Sequence, residues 1–457
     1  MKFSKVNRIH FVGIGGIGMS AIAEVLFHQG FKISGSDKEL NDVTERLCRF
    51  GIKIYEGHST SNIEDIDVLV YSSAVTPDNP ELKEAIRKNI PVIKRSEMLA
   101  ETMRMKYGIG IAGTHGKTTT TSMIGLTLVE AGLDPTMIVG GRLSALDGSN
   151  ARLGNSDLIV VEADEFDRTF LKLNPVIAVL TSLETEHLDT YKDLDDIKTA
   201  FIEYANKVPF YGFVTLCIDD MELKNISSGI PKRIISYGLS DEADVQAVSI
   251  EHNGFTTSYS VKYYGEELGK IELSLPGIHN IKNSLAAVVV GKELGVEFIV
   301  IQNTLKNFRG AQRRFEIKYN KEVLVIDDYA HHPTEVAETL KGIRSSWQRR
   351  LVAVFQPHLY SRTRDFYRDF ARSFLNSDLF ICTDVYPSRE LPIEGISGKL
   401  IADCAVEYGH KQVYYVADKN DIPQVLMKNM QDGDIIITMG AGDIFKYNEK
   451  FVTMLMN

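Results

Sequence analysis

A chain of 457 residues with 44% apolar and 25% charged side chains has room for about three domains with separate cores, which excludes a disordered or fibrous polymer. The formal net charge of -10, with Lys and Arg scattered rather than striped, excludes a nucleic-acid backbone as the expected partner. Cys48, Cys217, Cys382 and Cys404 form no CxxC pair and read as buried thiols of a reducing compartment, not as a disulfide frame or a zinc site.

Lys2, Lys5 and Arg8 before the apolar run 9–19 imitate a secretion signal, but glycines interrupt the run and no small-residue cleavage site follows. It reads instead as a first strand entering a turn. No window holds the ~18 uninterrupted apolar residues of a membrane span, so a cytoplasmic protein is expected. A helix over 19–28, a strand at FKISGSD, a helix over 43–50, strands at IKIYEG and DVLVYSSA, a helix and a strand at PVIKRSE follow. Short apolar strands alternating with helices predict a parallel sheet with crossovers.

The pattern restarts at 107 with YGIGIA, a glycine-rich turn and a helix ending at Gly132, then strands at DLIVVEADE, VIAVLTS and FVTLCIDD. Residues 245–275 alternate polar and apolar side chains and predict antiparallel strands added to that sheet, and HNIKNSLAAVVVGKELG predicts the helix that closes it. A third restart at 323 runs VLVIDDYAHHP, LVAVFQPHLY, DLFICTDVY, QVYYVA and DIIITMGAGD. The domains are therefore drawn at 1–105, 106–315 and 316–457. Ligands of open parallel sheets gather beyond the carboxyl ends of the strands, which marks Asp328, His358, Asp384 and Gly440.

The strongest local signal is AGTHGKTTT, residues 112–120, between a strand and a helix. Position 111 is Ile, so the phosphate-loop pattern is the short GxxGK[ST] form beginning at Gly113. Gly113, Thr114, His115 and Gly116 can turn successive N–H groups toward one anion, and the helix adds its positive end. Lys117 is expected to reach the β and γ phosphates of ATP and the Thr118 hydroxyl to ligate Mg2+. Glu162, ending a hydrophobic strand, is the expected acidic partner of that ion, with Asp164 and Glu165 able to share it. His187 follows another strand end and is expected at the metal or the phosphates.

GIGGIG, residues 13–18, is a GxGxxG turn after a strand, with Asp37 closing the next strand. It predicts a diphosphate and a ribose, whether of a dinucleotide or of a nucleotide sugar. Two nucleotide sites in separate domains imply that ATP is brought to a second nucleotide-bearing substrate.

In order, GIGGIGM, SSAV (72–75), GTHGKTTTT, EADE, EHLDTY, PGIHNIKN, RRFE (313–316), DDYAHHPTE, FQPHLYSRTRD and GAGDI resemble the Mur ligases over about residues 8 to 445. DDYAHHP with FQPHxxxRTRD resembles the branch that adds the first amino acid. The resemblance implies an ATP-dependent, peptide-bond-forming enzyme that joins L-alanine to the carboxylate of UDP-N-acetylmuramate through an acyl phosphate, in peptidoglycan synthesis. It implies an α/β fold of three domains: a Rossmann-like N-terminal one, a central ATPase-like one with a mostly parallel sheet and added antiparallel strands, and a Rossmann-like C-terminal one closing over amino acid and ATP.

Carried over motif by motif, Gly15, Gly16, Gly18, Asp37, Ser72, Ser73 and Ala74 would hold the UDP sugar. Lys117, Thr118, Thr119, Glu162 and His187 would hold phosphates and two Mg2+ ions, with Mn2+ able to substitute. His279, Asn280, Asn283 and Arg314 would face ATP. Asp328, Tyr329, His331, His358, Arg362 and Arg364 would line the amino-acid end, Asp328 or His331 taking the proton from the amine. The partners implied are these small molecules, without nucleic acid or membrane, in a monomer or weak homodimer.

Two positions depart from the family's pattern. Leu359 stands where many relatives have Arg, and Lys198 is out of register with the lysine that sister ligases carbamylate, so no carbamylation is expected. Competing readings are a ligase that reattaches recycled tripeptide to the same UDP sugar and, from another class, a nicotinamide-dependent dehydrogenase using GIGGIG.

Overall fold

The structure is a computed structural model that describes residues 6–146, 148–186, 190–388 and 390–457. Three sheets follow one another along the chain. The first is wholly parallel, in the order Lys53–Glu56, Lys32–Asp37, Arg8–Val12, Val68–Tyr71, Val92–Lys94. The strand order reverses at Arg8–Val12, which opens a crevice beyond its carboxyl end. Ile9, Phe11 and Val12 are fully buried there, and the chain leaves through Gly13 at φ +82 into the helix Ile17–His28. That helix begins two residues earlier than the sequence predicts, because glycine at 16 and 18 hides its start.

The central sheet has ten strands in the order Glu266–Leu273, Thr256–Tyr263, Val245–Asn253, Ile234–Gly238, Phe213–Cys217, Ile177–Leu180, Tyr107–Ala112, Leu158–Glu162, Thr136–Leu143, Ser149–Arg152. It is parallel from Val245–Asn253 through Thr136–Leu143. The last pair, Thr136–Leu143 with Ser149–Arg152, is antiparallel and was not foreseen, since its glycines and polar residues carry no strand period. The three strands within 245–275 lie side by side in that sheet, turning at Gly254 and Gly265, both at positive φ, and the first of them joins Ile234–Gly238 in parallel, not antiparallel as expected.

The third sheet runs Glu316–Asn320, Leu324–Asp328, Ile435–Met439, Leu351–Phe355, Leu379–Thr383, Val413–Val416. Its first strand is antiparallel and the rest are parallel. The last strand in sequence, Ile435–Met439, inserts between Leu324–Asp328 and Leu351–Phe355, so the carboxyl ends of these three share one edge. Val325, Val354, Ile381 and Ile436 pack against Ile422, Leu426 and Phe451 to form the core beneath that edge.

The chain divides into two compact units: one takes the residues up to Val248 with Ser260–Ile271 and Lys282–Lys306, the other Ser249–Tyr259, Glu272–Ile281 and Asn307–Asn457. The first sheet and most of the second thus share a unit. Within it Asn150 Nδ2 donates to Ile17 O at 2.6 Å, Glu24 pairs with Arg46 at 2.9 Å and accepts from Ser149 Oγ, and Arg142 pairs with Asp42 at 2.5 Å. Cys217, Cys382 and Cys404 are buried as expected, but Cys48 is exposed, because it lies on the outer face of the short helix Asp42–Arg49.

Candidate nucleotide and ligation sites

The glycine-rich loop leaves the strand Tyr107–Ala112 and enters the helix Lys117–Glu130 through Gly116, whose φ of +79 is the left-handed conformation that favours glycine. A Cβ at Gly113 would fall 2.0 Å from Thr181 Oγ1, and one at Gly116 would fall 2.5 Å from Asn283 Oδ1. The loop is pinned from both sides. His115 N donates to Ser182 Oγ at 2.8 Å, Thr181 Oγ1 donates to His115 O, and Glu184 N donates to Thr114 Oγ1 at 2.8 Å. Asn283 accepts from Thr120 Oγ1 at 3.2 Å, so the helix begun by PGIHNIKN delivers this side chain to the loop. Thr119 is buried beside them.

Lys117 Nζ donates to Gly113 O at 2.6 Å, Thr114 O at 3.1 Å and Glu165 Oε1 at 2.9 Å. Burial disfavours its charge, but the carboxylates of Glu165, Asp164 and Glu186 reverse the effect and hold the ammonium above its ordinary pKa. Thr118 Oγ1 donates to Glu162 Oε1 at 3.0 Å, and Gly140 N donates to Glu162 Oε2 at 2.6 Å. A Cβ at Gly140 would sit 2.4 Å from that carboxylate, so the unforeseen hairpin strand approaches closely enough to orient the acid. Burial pushes the Glu162 carboxyl up, and the Lys117 charge opposes it. Thr118 and Glu162 are therefore hard oxygen donors in contact at the helix start, a set that fits Mg2+. His187 lies outside the described residues.

In the first sheet's crevice Gly15 N donates to Asp37 Oδ2 at 2.7 Å, which ties the glycine turn to the end of the next strand. Gly13 approaches Ser72 closely, and Ala74 N donates to Ser72 Oγ at 3.3 Å, while Ser73 and Ala74 are exposed. Lys198 pairs with Glu222 at 2.6 Å.

In the second unit, Asp328 ends its strand with both oxygens engaged: Phe315 N donates to Oδ2 at 2.8 Å and Ala330 N to Oδ1 at 2.7 Å. Burial pushes this carboxyl up to about 6 despite the nearby Arg314 charge. Glu335 stands at the third position of the helix Pro333–Ser346 and accepts from the backbone N–H of His331 at 3.0 Å and of His332 at 3.3 Å. It also faces His331 Nδ1 at 3.2 Å and Arg314 at 3.6 Å. The His331 ring lies edge-on to Tyr329 and, 6.2 Å between centroids, to His358, whose Nδ1 is 3.3 Å from Arg362 Nη1. Asp328, Tyr329, His331, His358 and Arg362 thus share one edge. Arg364 meets its neighbour Asp365 at 2.7 Å on an exposed stretch. Asn280 Nδ2 donates to Pro276 O at 2.7 Å and His279 covers Gly277, both in the second unit.

Two groups here were not singled out from the sequence. Glu335 has a legible signal, the spacing HPTE, a capping box with His in the place of Ser or Thr. Arg313 stands in the quoted RRFE, which gives it no role: it donates to Asp327 at 2.9 Å, Gly440 O at 2.6 Å and Gly442 O at 3.1 Å, clamping the GAGD turn across 127 residues of sequence. Leu359 takes φ +73, unusual for a branched side chain, at the start of the helix Tyr360–Phe374.

Comparison with known proteins agrees with this layout. Residues 8–107 match the model of the Mur ligase family catalytic domain, 111–291 the Mur ligase middle domain and 313–442 the Mur ligase glutamate ligase domain. The chain is 50% identical to a UDP-N-acetylmuramate–L-alanine ligase of Geotalea uraniireducens, covering 99% of each chain. It is also 50% identical to one of Salinibacter ruber, over 99% of this chain and 96% of that one. The crystal structure of a UDP-N-acetylmuramate-alanine ligase from Thermotoga maritima superimposes with a TM-score of 0.83 at 29% identity, covering 98% of this chain and 99% of that one. With identity at this level over its whole length, the chain belongs to the Mur ligase family.

Proposed function

We propose that this chain uses ATP to join L-alanine to the carboxylate of UDP-N-acetylmuramate, the first peptide-adding step of peptidoglycan synthesis. The observation that carries the reading is the full-length identity to relatives of that name, on a chain whose phosphate loop sets the Thr118 hydroxyl 3.0 Å from Glu162 and lets the Lys117 charge act on that carboxyl.

The carboxylate must attack the γ-phosphate, anion on anion. Two unit charges ~3.5 Å apart repel by about 4 to 5 kcal/mol at an effective dielectric of ~20, a term that slows the step more than a thousandfold if uncompensated. Lys117 is held protonated beside the loop and supplies one compensating charge. Mg2+ held by Thr118 and Glu162 supplies more on the phosphate oxygens when bound. Two such ions, His187 serving one of them and Mn2+ able to replace them, complete the proposed metal set.

The amine of alanine must shed a proton before it attacks the acyl phosphate. Asp328, raised to about 6, is mostly ionised at neutral pH and basic enough to take it. His331, fixed by Glu335, is the other candidate. Tyr329, His358, Arg362 and Arg364 are assigned to the amino-acid end, and His279, Asn280, Asn283 and Arg314 to ATP. Gly15, Gly16, Gly18, Asp37 and 72–74 are assigned to the UDP moiety. The proposed domain limits remain 1–105, 106–315 and 316–457, in a cytoplasmic monomer or weak homodimer.

The test is phosphate release from ATP with Mg2+, adding UDP-N-acetylmuramate and L-alanine singly and together. Release that needs both supports the reading. Release that ignores either, or that prefers a tripeptide to alanine, overturns it.

A further inference from the structure

One cation of the first unit has no part in the chemistry above. Arg95 opens the helix Arg95–Arg104, where the helix dipole disfavours positive charge. Its guanidinium is half-buried, and among the described residues it makes no hydrogen bond or ion pair. The side chain lies across the start of the helix that follows the glycine turn: a Cβ on Gly18 would come 2.8 Å from Arg95 Nη1 and 3.4 Å from its Cδ and Cζ.

At that helix start Gly15 N is committed to Asp37 and Met19 N to Gly16 O, while the amides of Ile17 and Gly18 have no acceptor among the described residues. The Arg95 charge also acts on Asp164, whose carboxyl is pushed up by burial and eased back partly by that charge. A half-buried arginine without a hydrogen-bond partner among the described residues, placed against its helix dipole and beside two amides with no acceptor there, breaks local rules in the way functional positions do.

Resting on the reading that a nucleotide sugar binds at the GIGGIG turn, we infer that Arg95 holds the diphosphate of that ligand against the start of the helix Ile17–His28, and that position 18 is glycine so that the guanidinium can lie there. Phosphoryl oxygens accept two parallel N–H bonds from a guanidinium and suit a helix start, which favours the diphosphate over the sugar's carboxylate.

Titration calorimetry without ATP tests this with two ligands, UDP-N-acetylmuramate and a UDP-N-acetylhexosamine that lacks the lactyl carboxylate. Arg95→Met is expected to weaken both by about 10- to 100-fold, the loss of one or two charge-assisted hydrogen bonds. Arg95→Lys should recover part of the loss, and the KM for ATP should not change. Gly18→Ala puts a methyl where the guanidinium lies, so it should weaken the same binding yet add nothing to Arg95→Met, a non-additivity that a merely structural arginine would not produce.

Unchanged affinity for both ligands in Arg95→Met overturns the inference, and so does a loss confined to the carboxylate-bearing ligand. Should Arg95→Met fail to fold, Arg95→Lys and Gly18→Ala carry the same comparison. Wild-type protein that binds neither ligand defeats the nucleotide-sugar reading itself, a failure visible before any variant is made.

Discussion

The phosphate loop and the carboxyl edge of the third sheet are both charged sites at strand ends, yet they are built in opposite ways. At the loop, six consecutive residues supply backbone, ammonium and hydroxyl, and the cation is set among several carboxylates that keep it charged. At the third sheet, Asp328, His358 and Arg313 come from distant segments, and the central acid is held by two backbone amides and moved toward neutrality by burial. A continuous segment can specify charge density, because spacing along the chain is fixed. A discontinuous edge specifies basicity, because burial is set by everything packed around it.

Removing the cation from the first site should give the largest effect. In Lys117→Met, kcat is expected to fall by about a thousandfold or more, the size of the uncompensated repulsion. Because buried Glu165 loses its ion pair with Lys117, thermal unfolding should also move down, by an amount on the order of 3 kcal/mol. Full activity in this variant would end the comparison, since charge density would then not be what the loop provides. Glu162→Gln is expected to act more mildly, raising the Mg2+ concentration needed for half-maximal rate while leaving the fold intact; an unchanged Mg2+ dependence would remove Glu162 from the metal site.

At the third sheet the expected signature is in pH. Asp328 sits at about 6 in the folded chain against an ordinary 3.8, so folding favours its protonated form. Its contribution to stability is best below pH 4 and declines as pH rises through the folded value, by about 3 kcal/mol in all. Activity has the opposite sign, because the base must be ionised: kcat should rise through about pH 6. Asp328→Asn should remove that limb and lower kcat by about a hundredfold. A pH profile that survives the substitution shifts the proton acceptor to His331.

These two constructions also explain what could be read beforehand. GTHGKTTT, GIGGIG and the strand restarts were legible because glycine, lysine and apolar runs carry their meaning in adjacent positions. The hairpin of Thr136–Leu143 with Ser149–Arg152 was not, although Gly140 N holds the Glu162 carboxylate, because a glycine-rich strand paired at the margin of a sheet has neither period. Arg313 lay in the quoted motif RRFE without a role for a different reason: two of its acceptors are backbone carbonyls at 440 and 442, and carbonyls have no residue type. Glu335 lay within a quoted motif without a role, since its work is done on backbone N–H groups and on its two histidine neighbours.

Glu335 therefore separates local from distant control of the third-sheet edge. Glu335→Gln keeps one acceptor for the helix start and loses the charge facing His331 and Arg314, so stability should drop by only about 1 kcal/mol. The KM for alanine is expected to rise while the KM for the UDP sugar stays, if the edge serves the amino acid.

The smallest expected effect discriminates most sharply between two arginines of one motif. Arg362 reaches His358 at 3.3 Å, whereas Arg364 is exposed and paired with Asp365. An exposed pair of this kind contributes about 0 to 1 kcal/mol, so Arg364→Ala should leave unfolding nearly as it is and lower kcat less than Arg362→Ala does. Equal losses in the two variants would mean that Arg364 leaves Asp365 to meet substrate, and the motif would then read RTR as two contacts spaced two apart rather than one contact and one surface pair.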